Sequence, residues 1–240
     1  MFEKSKIPLN KWVFAAHLMA SSKKGYSAHQ LHRTIGVTYK TAWFMMHRLR
    51  EAMTVARTGP LGGNGAVVEA DETYWGNSHQ SKKGKAAKAA GVHYGGDHKE
   101  KIVSLVERNG KVRSFHVPAV NGATLKSVLH GHIAKDSHLM TDECRMYRRL
   151  GRDFMSHQTV NHSAKEYARG SVTTNTVEGY FAILKRGLVG TFHHVSAKHL
   201  QRYMEEFDFR YNSRSSLGIE DTERAAMLLK NIGGKRLTYY

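Results

Sequence analysis

Two hydrophobic periodicities divide this chain. From Leu9 to about residue 56 the apolar positions recur three and four apart, the spacing of one helical face. Leu31 and Ile35 stand four apart, a turn at Gly36 follows, and Ala42, Met45, Met46 and Leu49 share one side of the next run. Ser27 is placed to cap the first of these helices, and the second is predicted to begin near Thr38. The glycine-rich stretch from Thr58 to Gly65 breaks this pattern and reads as a linker. After it, Ala66 to Asp71 is a short apolar run ending in an acid, a buried strand leading to a charged edge at Glu72 to Gly76. Lys101 to Arg108 and Lys111 to Val117 form two strand-like runs about Asn109-Gly110, a strong hairpin signal. Asn121 to Ile133 is predicted helical through Leu125, Val128 and Leu129, and Ser137 to Thr141 is a short strand running into Asp142. Beyond a mixed stretch at 144–170, Thr174 or Asn175 caps a helix through Arg186, and Ser196 to Asn212 forms another with Leu200, Tyr203, Met204 and Phe207 on one face.

That order predicts an α/β fold. Its expected parts are a small all-α helix-turn-helix module at 1–57, a linker at 58–65, a sheet-containing domain at 66–214 and a helical tail at 215–240.

Charge narrows the partner. Against 20 acidic residues stand 37 lysines and arginines, a net charge of +17, with 16 histidines in addition. A polyanion is the expected partner, and double-stranded DNA suits the helical module. A second helix starting at Thr38 presents Tyr39, Lys40 and Thr41 to base edges, with Lys40, Arg48 and Arg50 beside phosphates. The polar stretch at 77–100 carries Lys82, Lys83, Lys85 and Lys88 among glycines and alanines, an arm suited to phosphate contact. No apolar run approaches the length of a membrane span, and the opening residues carry no apolar stretch of a secretory leader, so a cytoplasmic home is expected. Cys144 stands alone, which excludes an internal disulfide and a cysteine zinc ribbon; a metal would need carboxylates or histidines.

The acids supply the candidate chemistry. Asp71 and Asp142 terminate predicted strands, and Glu178 lies on the helix that follows, with 35 residues between Asp142 and Glu178. If the two strands are parallel neighbours, their ends stand about 5 Å apart. A helix packed on the sheet can bring Glu178 to the same place. A single acid is usually a cap or a surface pair, but three in this order form a cluster whose repulsion a divalent cation relieves. Oxygen ligands favour Mg²⁺ or Mn²⁺, and two such ions suit in-line attack at a phosphodiester. Lys185, seven residues beyond Glu178, points from the same helical face toward a substrate phosphate, with Arg186 beside it and Asn175 one turn before Glu178. Glu72 and Glu143 each follow a candidate ligand directly and are expected to support the site from behind or face solvent. Trp12, Trp43 and Phe44 are expected in the core.

The stretches YSAHQLHRTIGVTYKTAWFMMHRLREAM, VEADETYWGN, MTDECRMYRRLG and NHSAKEYARGSVTTNTVEGYFAILKRGLVGTFHHVSAKHLQRYMEEFDFRYNSR together resemble bacterial insertion-sequence transposases of the DDE type, ISXO-type group. The resemblance spans most of residues 7–214. It implies a ribonuclease-H-like mixed sheet flanked by helices, and Mg²⁺-dependent cleavage and strand transfer at insertion-sequence ends. Its triad falls on Asp71, Asp142 and Glu178 and its basic position on Lys185. Some relatives have Asn as the last ligand; Asn175 is the alternative here, and Glu178 is preferred because a carboxylate binds Mg²⁺ better than an amide. Synapsis of two ends implies a homo-oligomer. The four-cysteine ribbon that relatives often carry ahead of the helix-turn-helix has no counterpart. The alternative function is a non-catalytic helix-turn-helix DNA-binding protein or an inactive transposase remnant.

Overall fold

A computed structural model of the chain describes residue 2 and residues 5–54, 58–76 and 99–235. Two compact units emerge, neither contiguous in sequence. One comprises Met1–Thr58, Asn109–Val112 and Tyr180–Tyr240; the other comprises Gly59–Arg108 and Arg113–Gly179.

The helical unit contains α1 (Leu9–Ser21), α2 (Ala28–Ile35) and α3 (Tyr39–Met53). The starts of α2 and α3 fall where the sequence puts them, because each is set by a local side chain. Ser27 accepts from the Gln30 amide while the Gln30 side chain accepts from the Ser27 amide, a reciprocal capping box. Gly36 ends α2 in the left-handed region at φ 61, and Thr38 accepts from the Thr41 amide to begin α3. Ser27→Ala removes one helix cap and is expected to cost about 1 kcal/mol in chemical denaturation. An unchanged midpoint would mean that α2 is held by packing alone.

Trp12, Met19, Leu31, Met45, Met46 and Leu49 form the core of this unit with Phe209, Ala225, Leu228 and Ile232. The last four come from α7 (Ala197–Asn212), α8 (Asp221–Lys230) and the turn after it. Trp12 is core as expected, whereas Trp43 and Phe44 are half-buried. Arg50 does not face phosphate: it is 2% exposed, its guanidinium lies 3.9 Å from the Tyr203 ring centroid, and Nε donates to Glu206 at 2.6 Å. Glu206 is fully buried between Arg50 and Arg210, and their positive charge holds its carboxyl below the usual range despite burial. A carboxylate 156 residues away in sequence outcompetes solvent for Arg50, which no local pattern announces.

The other unit is built on a five-stranded mixed sheet of order β3-β2-β1-β4-β5, flanked by helices, an arrangement consistent with a ribonuclease-H-like fold. The strands are β1 (Val67–Trp75), β2 (Glu100–Glu107), β3 (Val112–Val117), β4 (His138–Thr141) and β5 (Ser156–Thr159). β1 is antiparallel to β2 and parallel to β4, and β4 is parallel to β5. Asn109, at φ 58, supplies the positive φ that the turn between β2 and β3 needs. Asn121 caps α4 (Gly122–His132) by accepting from the Thr124 amide, and Leu125, Val128 and Leu129 are buried as predicted. α5 (Arg145–Leu150) and β5 occupy the stretch read as mixed. Val68, Ala70, Val103, Leu105, Leu125, Leu129, Leu139, Tyr147 and Phe154 pack together as its core. A two-stranded ribbon of β6 (Ala168–Arg169) and β7 (Val172–Thr173) leads into α6 (Asn175–Gly187), and the division between units falls within α6. Among the described residues no helix is long and apolar enough to cross a membrane.

Candidate active site

Asp71 does not end its strand, as the apolar run suggested, but sits in the middle of β1. The reason is the asymmetry of its two neighbours. β2 pairs with β1 from Val68↔Glu107 to Trp75↔Glu100, so the ladder carries β1 past Asp71. β4 is only four residues long, and its ladder with β1 runs from Val67↔His138 to Glu69↔Met140. The same register carried two residues further sets Asp142 beside Asp71, where β4 has stopped and side chains can face the gap.

Glu178 comes to this edge through a residue that the sequence analysis left inside an apolar run. Glu69 is fully buried. Its carboxylate accepts from the Thr176 amide at 2.8 Å, the Val177 amide at 3.0 Å and the Thr176 hydroxyl at 2.9 Å, at the start of α6. Arg108 Nε donates to the same carboxylate at 2.7 Å, and its other nitrogens reach the Ser171 and Thr173 carbonyls at 2.7 and 2.9 Å. A carboxylate at a helix N-terminus satisfies otherwise unpaired amides and complements the helix dipole. Glu69 and Asp71 are two apart on one strand and therefore share a face, so the clamp ties the helix of Glu178 to the strand of Asp71. An acid in an otherwise apolar strand run was the one available signal.

Asp71 lies within electrostatic reach of both Asp142 and Glu178. Burial raises the Asp71 carboxyl from 3.8 to about 8, aided by the charges of Glu72, Asp142 and Glu178 and opposed by the hydrogen bond from the Glu72 amide. Burial likewise raises Asp142 and Glu72; the Glu72 carboxylate accepts from the Tyr147 hydroxyl at 2.7 Å and so faces α5. Each acid has one oxygen engaged: Asp71 Oδ1 by the Glu72 amide at 2.7 Å, Asp142 Oδ1 by the Cys144 amide at 3.0 Å, and Glu178 Oε1 by the Thr174 hydroxyl at 2.9 Å. Among the described residues, their second oxygens accept no hydrogen bond. No group of three or more His, Cys, Asp or Glu among the described residues is gathered as a ready metal site. The donor chemistry nevertheless fits a hard divalent cation: three carboxylates, each with an uncommitted oxygen, of which Asp142 and Glu178 oppose the ionisation of Asp71.

His162 bridges to the site, with Nε2 3.1 Å from the Thr174 hydroxyl and 3.3 Å from Glu178 Oε1. Glu143 anchors that loop, accepting from the Ser163 hydroxyl at 2.6 Å and from the His162 and Ser163 amides; the Ser163 hydroxyl bond leads in lowering its carboxyl to about 2. Asn175 is exposed at the start of α6, its amide donating to the Thr173 hydroxyl at 3.0 Å. Lys185 and Arg186 are exposed near the end of α6, in the portion assigned to the helical unit, and Lys40 is exposed in the first turn of α3. Lys82, Lys83 and Lys85 lie outside the described residues.

Comparison with known proteins adds two findings. Residues 60–212 match the family model of the ISXO2-like transposase domain. An uncharacterized transposase-like protein of Haemophilus influenzae is 30% identical over 103 residues, 43% of this chain and 82% of that protein.

Proposed function

Since this chain belongs to the ISXO2-like transposase family, we propose that it cuts and joins DNA at insertion-sequence ends, with divalent cations held by Asp71, Asp142 and Glu178. The observation that carries this reading is the β1–β4 register, which continues from Glu69↔Met140 toward Asp71 and Asp142, together with the Glu69 clamp on the first turn of the helix that bears Glu178. The raised Asp71 carboxyl supports it: burial, with the charges of Glu72, Asp142 and Glu178, opposes its ionisation, and a cation that replaces the proton relieves that cost. Bound Mg²⁺ or Mn²⁺ supplies activation of the attacking water or 3′-hydroxyl and neutralises charge on the leaving oxygen. The chain's own part is to hold the carboxylates on two strands and a clamped helix, so that little reorganisation remains when substrate arrives. Lys185 and Arg186 neutralise phosphates, Lys40 meets DNA from the first turn of α3, and joining of paired ends calls for a homo-oligomer.

The test supplies a pre-cut element end and a target plasmid with Mg²⁺ or Mn²⁺. Asp71→Asn, Asp142→Asn and Glu178→Gln are each expected to lower joined product at least about a hundredfold while leaving DNA binding in place. Asn175→Ala is expected to retain activity. Full activity in Glu178→Gln with loss in Asn175→Ala would move the third ligand to the amide. Hydrolysis without joining by the unaltered protein would make it a nuclease, and binding without cleavage would make it a DNA-binding protein alone.

A further inference from the structure

The geometry points to a DNA-backbone track on α5, a groove between α4 and α5 where Arg145, Arg149 and Arg152, faced by Lys126, take the phosphates of a strand leading away from Asp142. The proposal rests on the polynucleotide substrate argued above and adds the surface that binds it.

α5 begins three residues after Asp142. Tyr147 and Leu150 anchor it in the core at 0% and 8% exposure. Fixing those two positions turns Arg145, Arg148 and Arg149 outward. Arg145, Arg148 and Arg149 stand at i, i+3 and i+4 on α5, Arg152 follows in the 3-10 turn Gly151–Asp153, and all four are exposed. Among the described residues none of the four, nor Lys126, makes a hydrogen bond or an ion pair. Like charges at this spacing repel one another, so the stripe is unfavourable until a polyanion neutralises it.

A groove of about 690 Å³ collects these charges. Arg145, Arg149 and Arg152 line one wall, and Lys126 with the small residues Gly122 and Ala123 lines the α4 wall. Asp153 is its one acid, and it is already bonded to His130 at 3.0 Å. Three guanidinium groups, each able to grip a phosphate through two parallel hydrogen bonds, suit a sugar-phosphate backbone. Continuity with Asp142 favours DNA over an acidic protein, because α5 starts three residues beyond an acid assigned to the scissile phosphate. Arg145, Arg149 and Arg152 were not legible as a site in the sequence, because they fall in the mixed stretch at 144–170.

The experiment measures duplex oligonucleotide binding by fluorescence anisotropy between 50 and 200 mM salt, using the full chain and the triple variant Arg145→Gln, Arg149→Gln, Arg152→Gln. Each lost phosphate contact removes about 0.9 from the slope of log affinity against log salt. The triple variant should lose about 2.7, making its fall in affinity across that range about forty-fold smaller. Lys126→Gln, on the opposite wall, should remove about one contact's worth and serves if the triple variant does not fold. A slope equal to that of the unaltered protein in both variants overturns the track. Divalent-dependent cleavage by the unaltered protein is followed in the same samples. Cleavage with unchanged slopes removes the track alone, whereas altered slopes without cleavage keep the track and remove the catalytic reading.

Discussion

Glu69→Ala is expected to destabilise the sheet-containing unit by about 3–5 kcal/mol, the range for removing one partner of a buried charge pair. The carboxylate is fully buried and receives four donors, so truncation leaves Arg108 without its anion and two amides at the start of α6 without an acceptor. The loss is read from urea denaturation followed by circular dichroism. Glu69→Gln keeps an acceptor but not the charge and should fall between the two. A change below about 1 kcal/mol in Glu69→Ala would show that the helix is seated by apolar packing rather than by the clamp.

The second large effect is a pH dependence set by Asp71. In the unfolded chain this acid releases its proton near 3.8, whereas in the folded protein burial and neighbouring acids hold it to about 8. Between those values the folded state binds more protons than the unfolded state, so without divalent cations stability must fall as pH rises from about 4 to about 8. The full swing has an upper limit of about 6 kcal/mol, and coupling to Asp142 and Glu72 shares it among the cluster. Asp71→Asn should flatten the decline, leaving the variant more stable than the parent at pH 8 in EDTA. Adding Mg²⁺ or Mn²⁺ at pH 8 should raise the melting temperature of the parent by several degrees and that of the variant by much less. Parallel melting curves for the two proteins at pH 5 and pH 8 would contradict the assigned burial of Asp71.

Both predictions depend on partners far apart in the chain, and that separates what was legible from what was not. Ser27, Gly36, Thr38, Asn121 and the Asn109-Gly110 turn act within a few residues of themselves, so their elements could be read directly. The acids could be read in order, and the parallel pairing of β1 with β4 followed the α/β plan. β5 could not: Ser-His-Gln-Thr has no apolar alternation, and it is a strand because it pairs with the β4 edge. The burial of Arg50 against Glu206 was equally hidden, because the partners stand 156 residues apart. Glu69 was visible as an acid in an apolar run, but its partners at Thr176 and Val177 lie 107 and 108 residues away.

The sequence by itself determined the α/β class, the basic character, the helix caps and the carboxylate order, because those follow from local periodicity and composition. Tertiary structure alone decided that the last helices complete the core begun by the first three, that Asp71 lies within its strand, and that Glu69 seats the helix of Glu178. The physical reason is that a buried charge or an open strand edge takes whichever partner the folded chain brings to it, and the identity of that partner is a property of the topology.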